Sequence, residues 1–195
     1  MTDDLGNFSL RSGQEVRLRL IQKEDAALLV DLFHHLSPEA KRLRFSLYTE
    51  KLPEERIWQE AIALSDLNPQ QHVAVVATIT DEEAHERAVG VARFVRPTPH
   101  DTEAEVAVVV RDDFQRKGLG RHLLNVLGLK ARDLGIRYFS AWIMNENIRL
   151  MKLIKSMELK NVESDIRHGQ HKIRVPISEE GSSQSGQTSP DNHTP

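Results

Sequence analysis

Three runs of β-branched and apolar residues follow one another closely in the middle of the chain, at residues 72–79, 88–95 and 103–110. Such residues favour strands, so each run is typical of a β-strand. The turns between the runs, DEEAHER and RPTPHDT, are too short to contain a helical crossover. Strands joined by such short connections pair as antiparallel hairpins, and this restricts the fold more than any other feature of the sequence.

Alternating and helical patterns flank this centre on both sides. In chain order, we predict a strand over 15–21, a helix over 23–36, a short helix that begins at Ser37 and a helix over 53–64. The three central strands follow, and after them come a helix from 119 to 135 and a strand over 136–144. A helix over 147–157 and a last hairpin within 160–177 complete the order. This order predicts an α+β domain, in which a mixed and mostly antiparallel sheet carries helices on both faces.

The ends of the chain differ from its middle. Residues 178–195 contain no large apolar residue, so we predict a disordered tail there. Residues 1–14 are set apart as an N-terminal segment, because turn residues surround their few apolar side chains. The folded domain is therefore predicted over residues 15–177.

Composition excludes several classes of function. The sequence has no cysteine, so no acyl-cysteine intermediate and no thiolate-bound metal can form. Its histidines and carboxylates do not cluster with the spacing of a metal site, and we expect no metal. A net charge of −3 argues against a nucleic-acid partner. No apolar run is long enough to span a membrane and no basic leader is visible, so we expect a cytoplasmic protein without a membrane partner.

The junction after the third central strand has the pattern of an anion site. Its sequence, VVVRDDFQRKGLGR, runs from an apolar strand through a loop with Gly118 and Gly120 into a helix. Glycines let the backbone approach a ligand closely, and the start of a helix presents unpaired N–H groups that suit a pyrophosphate. Arg116, Lys117 and Arg121 are expected to add charge-assisted contacts.

These residues resemble those of a known family. The hexapeptide QRKGLG at 115–120 matches the Q/R-x-x-G-x-G/A signature of the GNAT acyltransferase superfamily, which binds the pyrophosphate of acetyl-CoA. The helix that Asn147 opens is similar to the family's second cofactor segment. The segments LSPEAKRLRF, at 36–45, and EAEVAVVVRDDFQRKGLG, at 103–120, resemble the bacterial protein-lysine acetyltransferase (Pat-type) branch.

The resemblance implies the GNAT fold, with acetyl-CoA as co-substrate in a cleft between two splayed strands. The pantetheine arm of acetyl-CoA would pair with the backbone of one of these strands, the N–H groups of the loop would hold the pyrophosphate, and Asn147 would contact the arm. The cofactor-binding residues that it implies are Val108, Val109, Val110, Gln115, Arg116, Lys117, Gly118, Leu119, Gly120, Arg121 and Asn147.

An amine acceptor needs a general base, because a lysine amine is mostly protonated at neutral pH. Glu105 is the predicted catalytic residue, since the Pat-type branch carries a glutamate at this place; Glu103, Asp101 and His100 are the nearby alternatives. The sequence departs from the family at Ile154, where many members have a tyrosine that protonates the leaving thiolate. The thiolate is therefore expected to leave unaided or to take a proton from water.

Three functions remain open at this point. The resemblance favours transfer of an acetyl group from acetyl-CoA to a protein lysine. A small amine is the alternative acceptor, and a domain that senses acyl-CoA without catalysis is the alternative from another class. We expect a monomer or a homodimer.

Overall fold

The computed structural model describes residues 4–45, 52–167 and 169–177, so the predicted tail at 178–195 lies outside the described residues. The strands are β1 (Asp4–Ser9), β2 (Glu15–Leu20), β3 (His72–Thr80), β4 (Glu86–Val95), β5 (Glu103–Val110), β6 (Tyr138–Met144), β7 (Glu163–Arg167) and β8 (Gln170–Pro176). The helices are α1 (Ala26–His34), α2 (Pro38–Phe45), α3 (Glu54–Ser65), α4 (Leu119–Asp133) and α5 (Ile148–Ser156). Short 3-10 turns occupy Lys23–Asp25 and Asp112–Phe114.

The strands form one eight-stranded sheet in the order β1-β2-β3-β4-β5-β6-β8-β7. Each pair of neighbours is antiparallel except β5 and β6, which are parallel. This arrangement confirms the predicted α+β class and the mixed, mostly antiparallel sheet. No sequence pattern predicted β1. This strand pairs with β2, so the sheet includes part of the N-terminal segment over residues 1–14.

The parallel pair β5 and β6 separates soon after it begins. Backbone pairing joins Glu103, Ala104 and Glu105 to residues 138–140 of β6 and then stops. Strand β5 continues to Val110 and β6 to Met144, so both carry backbone groups that face the gap between them. The gap is the predicted cleft between splayed strands, and its narrow end lies at Glu105.

Helices cover both faces of the sheet. On one face, α4 buries Leu119, Leu123, Leu127 and Ala131, which recur every four residues and are at most 1% exposed. They pack against the inward residues of β2 to β5. On the other face, α1 and α2 pack against β3 and β4, and α3 packs against α1. Among the described residues, no helix combines the length and the apolar character that crossing a membrane needs.

An ion-pair cluster joins β2 and β4 to the start of α1. Arg19 of β2 is only 6% exposed. It donates to both carboxylate oxygens of Asp25, at 2.6 and 2.9 Å, and to both of Glu86, at 3.1 and 2.9 Å. Because the guanidinium donates two hydrogen bonds to each carboxylate, its N–H groups have acceptors despite their burial.

Replacing Arg19 by methionine is expected to lower the free energy of unfolding by about 3 kcal/mol, because it leaves the nearly buried Asp25 carboxylate without its cation. Chemical denaturation measures this change. The matched control is Arg17→Met on the same strand, whose pair with Asp4 is about half exposed and contributes little. Equal losses of unfolding free energy in the two variants would contradict the view that burial makes the Arg19 ion pair the more important one.

Candidate functional site

The cleft between β5 and β6 is a cavity of about 630 Å³. Strand β5 contributes residues 106–110 to its wall, β6 contributes Ala141 and Trp142, and the glycine loop and α5 border it. Helix α2 adds Ala40, Leu43 and Arg44. The cavity thus joins the strand edge, the loop and the helix start that the sequence analysis singled out.

The glycine loop places its backbone in an unusual conformation at the start of α4. Gly118 has φ +92° and Arg116 has φ +60°, both in the left-handed region. The first hydrogen bond of α4 runs from the N–H of His122 to the carbonyl of Gly118, at 3.1 Å. Within the described residues, no group accepts a hydrogen bond from the N–H groups of residues 116–121. Unpaired donors at the positive end of a 15-residue helix are suited to bind an anion.

The N-terminal segment contacts this loop. No sequence pattern predicted these contacts. The ring of Phe8 stacks on His122 with 3.9 Å between centroids. The N–H of Arg11 donates to the carbonyl of Lys117 at 3.1 Å, and the Arg11 side chain lines the cleft. Residues 4–14 therefore belong to the site's framework.

The loop side chains divide into two groups. Gln115, Arg116 and Arg121 line the cleft, as do the two glycines. Lys117 does not, since its ammonium lies 5.0 Å from the centroid of the Phe114 ring. Leu119 is 1% exposed and belongs to the core. Only the backbone of these last two residues is placed to meet a cofactor.

Asn147 and its neighbours form the opposite wall of the cleft. The Asn147 Oδ1 atom accepts a hydrogen bond from the N–H of Leu150 at 3.1 Å and caps α5. Asn147 lines the cleft, and its side-chain NH₂ group donates to no acceptor among the described residues. Arg149 bridges the mouth, donating to Gln115 Oε1 at 3.2 Å and pairing with Glu39 of α2 at 3.5 Å. No sequence pattern indicated this bridge.

Ile154, at the family's tyrosine position, lines a separate apolar cavity between α4 and α5 rather than the cleft. It brings no hydroxyl group to the cleft. Glu158, shortly after the end of α5, has φ +52°, a left-handed conformation that glycine more often supplies at a helix end.

A second cavity, of about 840 Å³, lies on the other face of the sheet under α1 and α3. We call it the acceptor cavity. Its walls are mostly apolar, and they include Leu29, Phe33, Ile57 and Val91. It meets the cleft at four residues that line both spaces: Arg44, Glu105, Ala107 and Val109. The sequence predicts acceptor-contacting loops over residues 45–53 and 96–102, and residues 46–51 of the first lie outside the described residues.

Glu105 lies where the two spaces meet. It is exposed, and no described residue donates a hydrogen bond to its carboxylate. The alternatives are engaged elsewhere. Glu103 accepts a hydrogen bond from Arg174 at 2.7 Å, which holds the pKa of Glu103 below its usual range. Asp101 accepts from the N–H of Thr98 at 2.7 Å, and His100 lines neither space.

Comparison with known proteins agrees with this geometry. Residues 31–158 match the Acetyltransferase (GNAT) family. A Mycolicibacterium smegmatis protein named Acetyltransferase Pat is 33% identical over 85 residues, which are 44% of this chain and 26% of that protein. A Pseudomonas aeruginosa protein named Acetyltransferase PA5475 is 31% identical over 133 residues, 66% of each chain.

Solved structures share the fold. The GNAT domain of S. lividans PAT superposes with a TM-score of 0.75 at 24% identity, covering 88% of this chain and 96% of that one. The protein yncA of Salmonella typhimurium, solved with its cofactor acetyl-CoA, superposes with a TM-score of 0.57 at 18% identity, covering 89% of this chain and 100% of that one. The family match contains the cleft, the glycine loop and the Asn147 helix, and the chain belongs to the GNAT acetyltransferase family.

Proposed function

We propose that this protein transfers the acetyl group of acetyl-CoA to the side-chain amine of a protein lysine, with Glu105 as the general base. The observation that carries the proposal is the junction at Glu105. There a cleft with an anion site at one end meets a cavity with apolar walls, and the carboxylate accepts no hydrogen bond from the described residues.

The cleft suits two parts of acetyl-CoA, its pyrophosphate and its pantetheine arm. The N–H groups of residues 116–121 would hold the pyrophosphate, with Arg116 adding charge. Beyond Glu105, β5 has an unpaired edge at Val108, Val109 and Val110, along which the pantetheine arm would lie like an added strand. The side-chain NH₂ group of Asn147 would donate to the arm.

When bound, acetyl-CoA supplies an activated acyl group on a thioester. Glu105 would accept a proton from the incoming ammonium, and the neutral amine would attack the carbonyl carbon, so that a C–N bond forms, the C–S bond breaks and the nitrogen gives its second proton to water. The thiolate takes its proton from water, since Ile154 brings no hydroxyl group to the cleft. Direct attack agrees with a sequence that contains no cysteine.

A lysine is the proposed acceptor because the chain resembles the Pat-type branch and matches a relative that bears this name. The cavity supports the choice, since its apolar walls suit the methylene stem of a lysine while the Glu105 carboxylate lies where the cavity meets the cleft.

Release of the CoA thiol with lysine peptides, combined with mass spectrometry of the peptides, tests this function. We expect acetylated peptide and free thiol in equal amounts. Thermal stabilisation by CoA without thiol release would instead indicate a sensor. Turnover of free amines but of no peptide would indicate a small-molecule enzyme.

A further inference from the structure

Two arginines line the acceptor cavity on the side of Glu105. Arg93 of β4 pairs with Ala107 of β5, and Val95, two residues further on, pairs with Glu105. Arg93 and Glu105 therefore lie diagonally on the same face of the sheet. Arg44, near the end of α2, lines both the cavity and the cleft. Both guanidinium groups are partly buried.

These two arginines make no hydrogen bond to a carboxylate among the described residues. Arg56 pairs with Glu60 at 2.7 Å, and Glu103 pairs with Arg174 at 2.7 Å, so these cavity charges are neutralised. Asp101 also lines the cavity, and its carboxylate accepts a hydrogen bond from the N–H of Thr98 at 2.7 Å. Glu105 is the carboxylate that acts electrostatically on both guanidinium groups.

The positive charge of Arg93 also destabilises the protonated form of Arg44. Burial and the neighbouring Arg93 lower the pKa of Arg44 to about 10, although the Glu105 carboxylate acts in the opposite direction. Burial likewise lowers the pKa of Arg93. Both groups remain protonated at neutral pH, so two positive charges are held where water is partly excluded. A partly buried guanidinium without a hydrogen-bonded carboxylate costs free energy, which an arriving anion would recover.

We propose that the acceptor lysine lies next to an acidic residue, whose carboxylate binds Arg93 and Arg44 while the lysine amine meets Glu105. This inference rests on the proposed lysine acetylation and adds the sequence preference of the acceptor. Arginine suits the task because its planar group can donate two parallel hydrogen bonds to one carboxylate. The site then selects by charge as well as by the apolar stem of the lysine.

Arg93 is the better residue to test, because it lines the acceptor cavity and not the cofactor cleft. Two peptides that differ only by Asp or Asn beside the lysine isolate the carboxylate. We expect the wild-type KM to be at least about tenfold lower for the Asp peptide, with similar kcat, since hydrogen bonds between charged groups are stronger than those to a neutral amide. In Arg93→Gln most of this difference should disappear.

Two further variants make the comparison specific. Arg93→Lys keeps the charge and is expected to keep part of the preference for the Asp peptide. Arg56→Gln, in the same cavity wall, removes a charge that Glu60 already neutralises, and its preference should equal that of the wild type. Fluorescence anisotropy of labelled peptides in the presence of CoA gives the same comparison without turnover.

The outcomes separate the two proposals. If the wild-type enzyme acetylates both peptides with equal KM, the acidic preference is wrong and lysine acetylation stands. A preference that persists unchanged in Arg93→Gln also overturns the inference. If no peptide is acetylated but the Asp peptide binds more tightly in an Arg93-dependent manner, the recognition is supported and the proposed reaction fails. If neither peptide binds or reacts, both proposals fail.

Discussion

Replacing Glu105 by glutamine is expected to lower kcat by about 10²–10⁴-fold, the usual contribution of a positioned acid–base group. Glutamine keeps the size and hydrogen-bonding reach of the side chain but accepts no proton near neutral pH. Affinity for acetyl-CoA should change little, because the anion site lies at the far end of β5, at residues 116–121. Steady-state thiol release and calorimetric titration measure the two effects separately.

The matched control for this variant is Glu103→Gln. Glu103 lies on the same strand and lines the same cavity, but its carboxylate is held by Arg174. We expect this control to keep most of the activity. Near-normal turnover of Glu105→Gln would exclude Glu105 as the base. Joint loss of activity, binding and thermal stability would indicate a structural role.

Replacing Gly120 by glutamate is expected to abolish acetyl-CoA binding. Gly120 lies in the first turn of α4 and lines the cleft, so a glutamate side chain would enter the space of the pyrophosphate and repel it. The backbone tolerates the change, because a Cβ atom there would meet Leu153 Cδ2 at 3.4 Å and Val110 Cγ2 at 3.8 Å, ordinary contact distances. Isothermal titration with acetyl-CoA measures the loss.

Gly120→Ala controls for the added carbon without the charge, and it is expected to bind acetyl-CoA with nearly the wild-type affinity. Both variants should melt close to the wild type. Unchanged affinity in a folded Gly120→Glu variant would remove the basis of the anion site, whereas a large drop in melting temperature in both variants would show that the position is structural.

Local patterns in the sequence predicted much of this fold. The central strands are continuous β-branched runs, and the four-residue spacing of Leu119, Leu123 and Leu127 specifies the buried face of α4. Gly135 has φ +76°, as expected of the residue that follows this helix. The glycine loop was predictable for the same reason, since strand, loop and helix are contiguous in the chain.

Features that depend on distant residues were not predictable. Strand β1 contains Gly6 and is mostly exposed, so it shows no clean alternation, and its pairing with β2 specifies it instead. The approach of Arg44 to Arg93 depends on how α2 packs over the sheet, which no local pattern encodes. The orientation of Lys117 toward the Phe114 ring, away from the cleft, is likewise set by tertiary contacts.

A crystal structure of the complex with acetyl-CoA would show whether one cofactor spans the cleft from the glycine loop to the junction at Glu105. We expect the pyrophosphate to accept hydrogen bonds from N–H groups of residues 116–121, and the thioester to lie beside Glu105, open to the acceptor cavity. A cofactor bound outside the gap between β5 and β6, or a thioester remote from Glu105, would contradict this expectation.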